Sequence, residues 1–223
     1  VEAFADKQAG PAAASAAGTT ARGEATRDAI RRAAEALFAA QGFSAVSMRD
    51  IAARVGVRAS ALYNHFPAKQ DILAELMETH LLRLTAALDA VLPGAEASPA
   101  ARLAAFARFH VRYHFDAADA VFLSYMELRS LAPENRARIN ALRGAYERRL
   151  RDILRDGQRS GAFRIEDPTI EAMALIAMLT GVTTWYDPAG RLSREAIEDI
   201  YVAMAARSVG LDHEEEASCS SGA

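Results

Sequence analysis

The chain has 223 residues, 51% hydrophobic and 25% charged, which is enough apolar material for a real core and excludes collagen-like or wholly disordered classes. Its net charge of -3 is uneven: Thr19–Ile72 carries 8 Lys+Arg against 5 Asp+Glu, whereas Leu73–Ala223 carries 17 against 22. A modestly basic front on an acidic body suits a nucleic-acid surface confined to one end. The single cysteine, Cys219, rules out an intrachain disulfide and a thiolate metal site. No apolar run reaches the ~18 residues of a membrane span, and the first 22 residues lack the continuous apolar stretch of a signal peptide. A cytoplasmic protein is expected.

Helical periodicity runs through most of the chain, with no alternating strand pattern and no internal repeat. Residues 1–22 read as a disordered arm rich in small residues, and residues 212–223 as a disordered tail. The first helix is predicted from about Glu24 to Ala40, with Ile30, Ala34, Leu37 and Phe38 on one face and Gly42 ending it. Ser47-Met48-Arg49-Asp50 forms a capping box that starts a second helix ending near Gly56. A short third helix covers about Ala59–His65 and stops at Pro67. Lys69–Val91 makes a long fourth helix, closed by Pro93-Gly94. Ser98-Pro99 opens a fifth to about Phe115, and a sixth runs from Asp119 to about Leu131. Pro133 opens an Arg-rich helix ending near Gly157, Asp167-Pro168 one reaching about Trp185, and Ser193 a last one ending around Gly210. The reading is all-α: a three-helix domain at 23–68 followed by a six-helix domain at 69–211.

The most specific signal lies in residues 42–66. Two short helices meet across Val55-Gly56-Val57, where glycine permits the tight turn of a helix-turn-helix. Ile51, Ala52, Val55 and Leu62 can fix their angle, leaving the second helix to present a polar face to the DNA major groove. The string Gly42-Phe43-Ser44-Ala45-Val46-Ser47-Met48-Arg49-Asp50-Ile51-Ala52-Ala53-Arg54-Val55-Gly56-Val57, followed by Leu62-Tyr63-Asn64-His65-Phe66 and Lys69, resembles the tetracycline-repressor (TetR) family of bacterial transcriptional regulators. The resemblance implies homodimers on palindromic operators, released when a small molecule enters the second domain. It assigns phosphate contacts to Ser47, Tyr63, His65 and Lys69, and base-edge contacts to Arg58, Ser60, Ala61 and Asn64. Arg58 and Ser60 stand where the family commonly has serine and glycine. Arg58 cannot cap the recognition helix as serine does, but its guanidinium adds a base or phosphate contact. Arg22, Arg27, Arg31 and Arg32 read as a solvated face or as further phosphate contacts.

In the body, Met173–Leu179 is apolar on every side, and the last helix carries Ile197, Ile200, Tyr201 and Met204 in a stripe. With Met178, these residues are the expected dimer interface, a four-helix bundle. Aromatic residues of the middle helices suggest a hydrophobic effector pocket, with Phe109, Tyr113, Phe122, Met126 and Trp185 as walls and His110 and Arg129 as polar anchors. Glu134/Arg138, Glu147/Arg151 and Arg148/Asp152 are expected to pair along the Arg-rich helix. Trp185–Ser193 looks like the last inter-helix connection of TetR-type repressors of fatty-acid and sterol catabolism, which makes an acyl-coenzyme A ester the leading effector class. No cofactor and no catalysis are expected. The competing reading is a metal-assisted hydrolase or metal sensor built on His110 and His114, one helical turn apart, with Glu127 or Asp116 as a third ligand.

Overall fold

The structure, a computed structural model, describes residues 12–211, with side chains from residue 22 onward. Among the described residues there are nine α-helices and no strand: α1 (Ala12–Gln41), α2 (Met48–Val55), α3 (Ala59–Tyr63), α4 (Lys69–Val91), α5 (Pro99–Asp116), α6 (Ala118–Met126), α7 (Pro133–Arg159), α8 (Pro168–Thr180) and α9 (Arg194–Ser208). The all-α expectation holds. The expected start signals operate where they were read: Ser98, Asp167 and Ser193 each accept a backbone N–H of the first turn, and Pro99, Pro133 and Pro168 occupy first-turn positions.

Three boundaries differ from the sequence reading. Helix α1 begins at Ala12, so residues 12–22, expected as part of a disordered arm, are helical; alanine has the highest helix propensity and dominates this stretch. The remainder of that arm and the tail from residue 212 lie outside the described residues. Helix α6 stops at Met126 and gives way to a 3-10 turn over Leu128–Ser130. Helix α8 stops at Thr180 and continues as a 3-10 turn over Gly181–Thr184. There a glycine precedes β-branched Val182, Thr183 and Thr184, and the two threonine hydroxyls donate to the carbonyls of Thr180 and Gly181. Such residues tighten a helix end rather than prolong it.

The described residues form two compact units that divide between Leu73 and Ala74. The core of the first is Ile30, Ala34, Phe38, Val46, Ile51, Leu62 and Phe66, all essentially inaccessible, with Phe43 packed edge-on to Phe38 at 5.2 Å. In the second unit α5 lies against α7, α8 and α9, and Leu103, Phe106, Val111, Ile153, Leu154 and Leu179 fill the space between. The Arg-rich α7 binds outward: Arg138 to Glu78 and Arg149 to Asp89 on α4, with Arg155 on Asp152 in its own turn. The expected pairing of Arg138 with Glu134 gives way because α4 offers a carboxylate across the helix pair.

Several charged contacts join α5 to α9, and the most buried of them centres on Glu198. Glu198 is 2% exposed, and Arg112 donates to both its carboxylate oxygens, at 3.0 and 2.6 Å. Arg108 lies 3.5 Å from the same carboxylate and 2.6 Å from Asp199. A buried carboxylate is tolerable only when its oxygens are satisfied in this way. Both arginines are substantially exposed, so Glu198→Ala is expected to cost about 1–2 kcal/mol in urea unfolding, less than the ~3–5 kcal/mol of a fully buried broken pair.

Candidate nucleic-acid interface and interior cavity

The turn between α2 and α3 is held from both ends. At the start of α2, Ser47 Oγ accepts the Asp50 N–H at 3.3 Å, while the Ser47 N–H and hydroxyl donate to Asp50 Oδ2 at 2.8 and 2.7 Å. These hydrogen bonds hold the Asp50 carboxyl below its usual range. At the far end Gly56 adopts φ 78°, and its N–H and that of Val57 bond back to α2 carbonyls. A side chain at that φ would be strained, which is why glycine stands there. Leu62, fully buried, fixes α3 on this base.

The face of α3 turned to solvent carries Arg58, Ser60, Tyr63 and Asn64, with Tyr63 51% exposed; Ala61 and His65 are half-buried. Arg58 occupies the N-cap position of α3 without a side-chain cap bond, so its guanidinium projects from an exposed residue. Two residues expected as phosphate contacts are engaged within the unit. Lys69 Nζ donates to the carbonyls of Phe43 and Val46, both at 2.6 Å, and sits 4.1 Å over the Phe43 ring. Ser47 is bound by Asp50, as described. Arg27 likewise donates to the His65 carbonyl at 2.6 Å and lies 4.1 Å from the Phe66 ring centroid, bracing the end of α3, and Arg31 pairs with Asp28. The cations nearest the motif thus serve its geometry first. Arg22, Arg32, Arg49 and Arg54 are exposed on the same unit.

Among the described grooves and cavities, the seven residues read as an effector pocket are divided between different surfaces. Phe109 and Tyr113 meet as a tilted ring pair with centroids 5.6 Å apart and are half-buried, and Phe122 is exposed. Met126 and Arg129 border a surface groove of about 410 Å3 together with Tyr125, Leu128 and Arg136. Trp185, 54% exposed, lines a separate groove with Ile197, Ile200, Tyr201 and Met204. Helical spacing places residues on a face but cannot say which neighbouring helix they meet, and this is why the set scattered. Of the expected interface residues, Ile197 and Tyr201 are buried within their own unit, Met178 is half-buried, and Ile200 and Met204 face outward, as do Ile170 and Met173 of α8.

Of the seven, His110 lines a small, partly open cavity of about 20 Å3, walled by His80, His110, His114, Ser124, Tyr125 and Tyr146 among others. His110 is central. Its Nδ1 lies 2.8 Å from the Tyr146 hydroxyl and its Nε2 3.0 Å from Thr180 Oγ1, which is itself 3.0 Å from the Tyr125 hydroxyl. A neutral imidazole, one nitrogen donating and one accepting, satisfies this chain. Burial drives His110 well below the usual histidine range, His80 down to about 4 and His114 down to about 3, and pushes the Tyr146 phenol up. His80 was missed by the sequence reading, because a lone histidine in a long amphipathic helix carries no local signal.

The metal reading of His110 and His114 fails on geometry. Their rings stack at 3.8 Å, and both His110 nitrogens are already hydrogen-bonded. Asp116 is bound to Arg194 and Glu127 to Ser130. Among the described residues, no three ligating side chains stand together.

Comparison with known proteins decides the family. Residues 30–76 match the sequence profile of bacterial regulatory proteins of the tetR family, and residues 96–209 that of the tetracyclin repressor-like C-terminal domain. The chain belongs to the TetR family. TetR-family proteins are transcriptional regulators rather than enzymes, and this one is a DNA-binding regulator whose helix-turn-helix is α2–α3. It is 29% identical over 182 residues to the HTH-type transcriptional repressor KstR2 of Mycolicibacterium smegmatis, covering 80% of this chain and 87% of that protein. Among solved structures it resembles the TetR family transcriptional regulator PfmR from Thermus thermophilus, at 34% identity, TM-score 0.71, and 80% and 97% coverage of the two chains. It also resembles AibR, solved in complex with isovaleryl coenzyme A and operator DNA, at 26% identity, TM-score 0.72, and the same coverage. Among the described residues no helix is long and apolar enough to cross a membrane.

Two outcomes follow from this geometry. Lys69→Ala removes two charge-assisted bonds to the 42–46 loop and is expected to destabilise the first unit by about 1–3 kcal/mol. Amide exchange at residues 43–47 would read this; unchanged protection would leave Lys69 a role on DNA alone. The buried imidazoles set a pH dependence. Unfolded histidines take up protons below about 6.5, whereas His80 and His114 resist until about 4 and about 3. The unfolded state therefore binds more protons in that window, and stability present above pH ~6.5 falls as the pH drops through it. Thermal unfolding from pH 7.5 to 4 measures the slope, and His80→Gln should make it shallower.

Proposed function

We propose that this TetR-family protein acts as a homodimeric repressor on a palindromic operator, and that a small effector bound in its second unit releases it. The carrying observation is the solvent-facing row Arg58, Ser60, Tyr63 and Asn64, set on a helix whose angle is fixed by Gly56, Leu62, Lys69 and Arg27. In this reading Arg58, Ser60, Ala61 and Asn64 approach base edges, and Tyr63 and His65 approach phosphates. Ser47 and Lys69 join them only by exchanging part of their internal bonding. The outward apolar row of Ile200 and Met204, with Met173 on α8, supports a partner subunit against α8 and α9.

An acyl-coenzyme A ester remains the leading effector class. Two features support it: the similarity to AibR, and the surface groove in which Arg129 and Arg136 stand beside Tyr125 and Met126. Guanidinium groups suit the phosphates of such a ligand, and the apolar side chains suit its acyl part.

Selection from random duplex DNA is the direct test. A palindrome is expected, and Arg58→Ala should relax one base position in each half-site, at about 1–3 kcal/mol of discrimination. An unaltered selected sequence would remove Arg58 from base readout. Met178→Arg, or Ile200→Arg, should yield monomers by light scattering and lose operator affinity; a persistent dimer would place the interface elsewhere.

A further inference from the structure

Among the described residues, four side-chain polar atoms of the second unit are buried without a well-formed hydrogen bond, and two of them, Ser124 Oγ and His114 Nδ1, belong to side chains that line the same cavity; the other two are the Nε atoms of Arg102 and Arg151. Both residues are 1% exposed. Ser124 sits on α6 and His114 on α5, so the two face one space from different helices. The His114 ring has a weak contact with the His110 carbonyl one turn back, which already serves the helix ladder. Folding leaves such groups dry only at a cost, and their coincidence at one void marks a place where something polar belongs. A void of about 20 Å3 holds one water as it stands. One of its walls is movable, however. Tyr125, 38% exposed, borders both this cavity and the outer groove of Arg129 and Arg136, with its hydroxyl on Thr180.

We propose that the cavity receives an uncharged hydroxyl or carbonyl group at the inner end of the effector, selected by Ser124 and His114, with Tyr125 moving aside to admit it. The inference rests on the effector reading above and narrows it from acyl groups in general to oxygenated ones. A plain alkyl end would leave the Ser124 hydroxyl without a partner and the His114 ring with no more than its contact to the His110 carbonyl. A carboxylate would enter without a countercharge, since burial keeps His80, His110 and His114 neutral. The one guanidinium lining the cavity, Arg143, is committed to the Ser124 carbonyl at 3.0 Å and to the Tyr125 ring.

The test uses matched straight-chain acyl groups of four to eight carbons, each with and without a terminal hydroxyl, as coenzyme A thioesters and as methyl esters. Calorimetry on the full-length protein should show the hydroxylated member of a pair binding at least about tenfold tighter, one unpaired buried polar group being worth about that factor. Ser124→Ala and His114→Phe should each erase the preference while raising the Tm of the ligand-free protein, since each removes an unsatisfied group. Preference among the methyl esters with no thioester binding would support the site and overturn the coenzyme A reading. The proposal falls if no probe binds, which would make the cavity a water site only, if no pair shows a hydroxyl preference, or if the preference survives both substitutions.

Discussion

Burying an imidazole with both nitrogens satisfied is the constraint around which the second unit is arranged. His110 of α5 needs two partners, and it finds them on α7, as Tyr146, and at the last residue of α8, as Thr180, which also holds Tyr125 of α6. One hydrogen-bond chain therefore ties four helices at a common level of the core. Its members come from positions 110, 125, 146 and 180, so the chain exists only when the whole unit has closed. A half-satisfied network in so dry a place would be worse than none. Two of its members stand at or next to the ends of their α-helical segments, where α6 and α8 are each followed by a 3-10 turn. The network is thus anchored where the backbone departs most from regular helix.

The first unit solves a different problem, since a helix of five residues has little stability of its own. Its angle is set by a buried leucine, a left-handed glycine and two cations bonded to backbone carbonyls. Lys69 holds the loop before α2 and Arg27 the end of α3. Cations that look available for phosphate in the sequence are structural in the free protein, while the uncapped Arg58 and the residues after it on α3 face solvent. A short helix that others hold in place can turn its own side chains outward.

The helical start signals were legible because they are local: a serine or aspartate, a proline, and the first-turn N–H groups lie within four residues of one another. The Ser47–Asp50 box and the Gly56 turn were legible for the same reason, and so was the family they resemble. The effector pocket was not. Phe109, Met126 and Trp185 share apolar character, yet the packing of α5, α6 and the connection before α9 sends them to different surfaces. His80 and Ser124 carry no signal in sequence and acquire meaning only beside His114. Arg138 of α7 pairs with Glu78 on α4 rather than with Glu134 one turn back, because a facing helix offered a carboxylate, while Arg155 keeps a partner on α7 itself.

Sequence alone therefore determined the all-α class, the starts of the helices that open on a capping serine, an aspartate or a proline, and the helix-turn-helix, since each rests on periodicity or on contacts a few residues apart. Tertiary structure alone decided which cations hold the motif, which polar groups share a cavity, and which α9 residues point inward. Those outcomes depend on the relative placement of helices separated by tens of residues, and a side chain's burial and charge state follow from what the other helices bring to it.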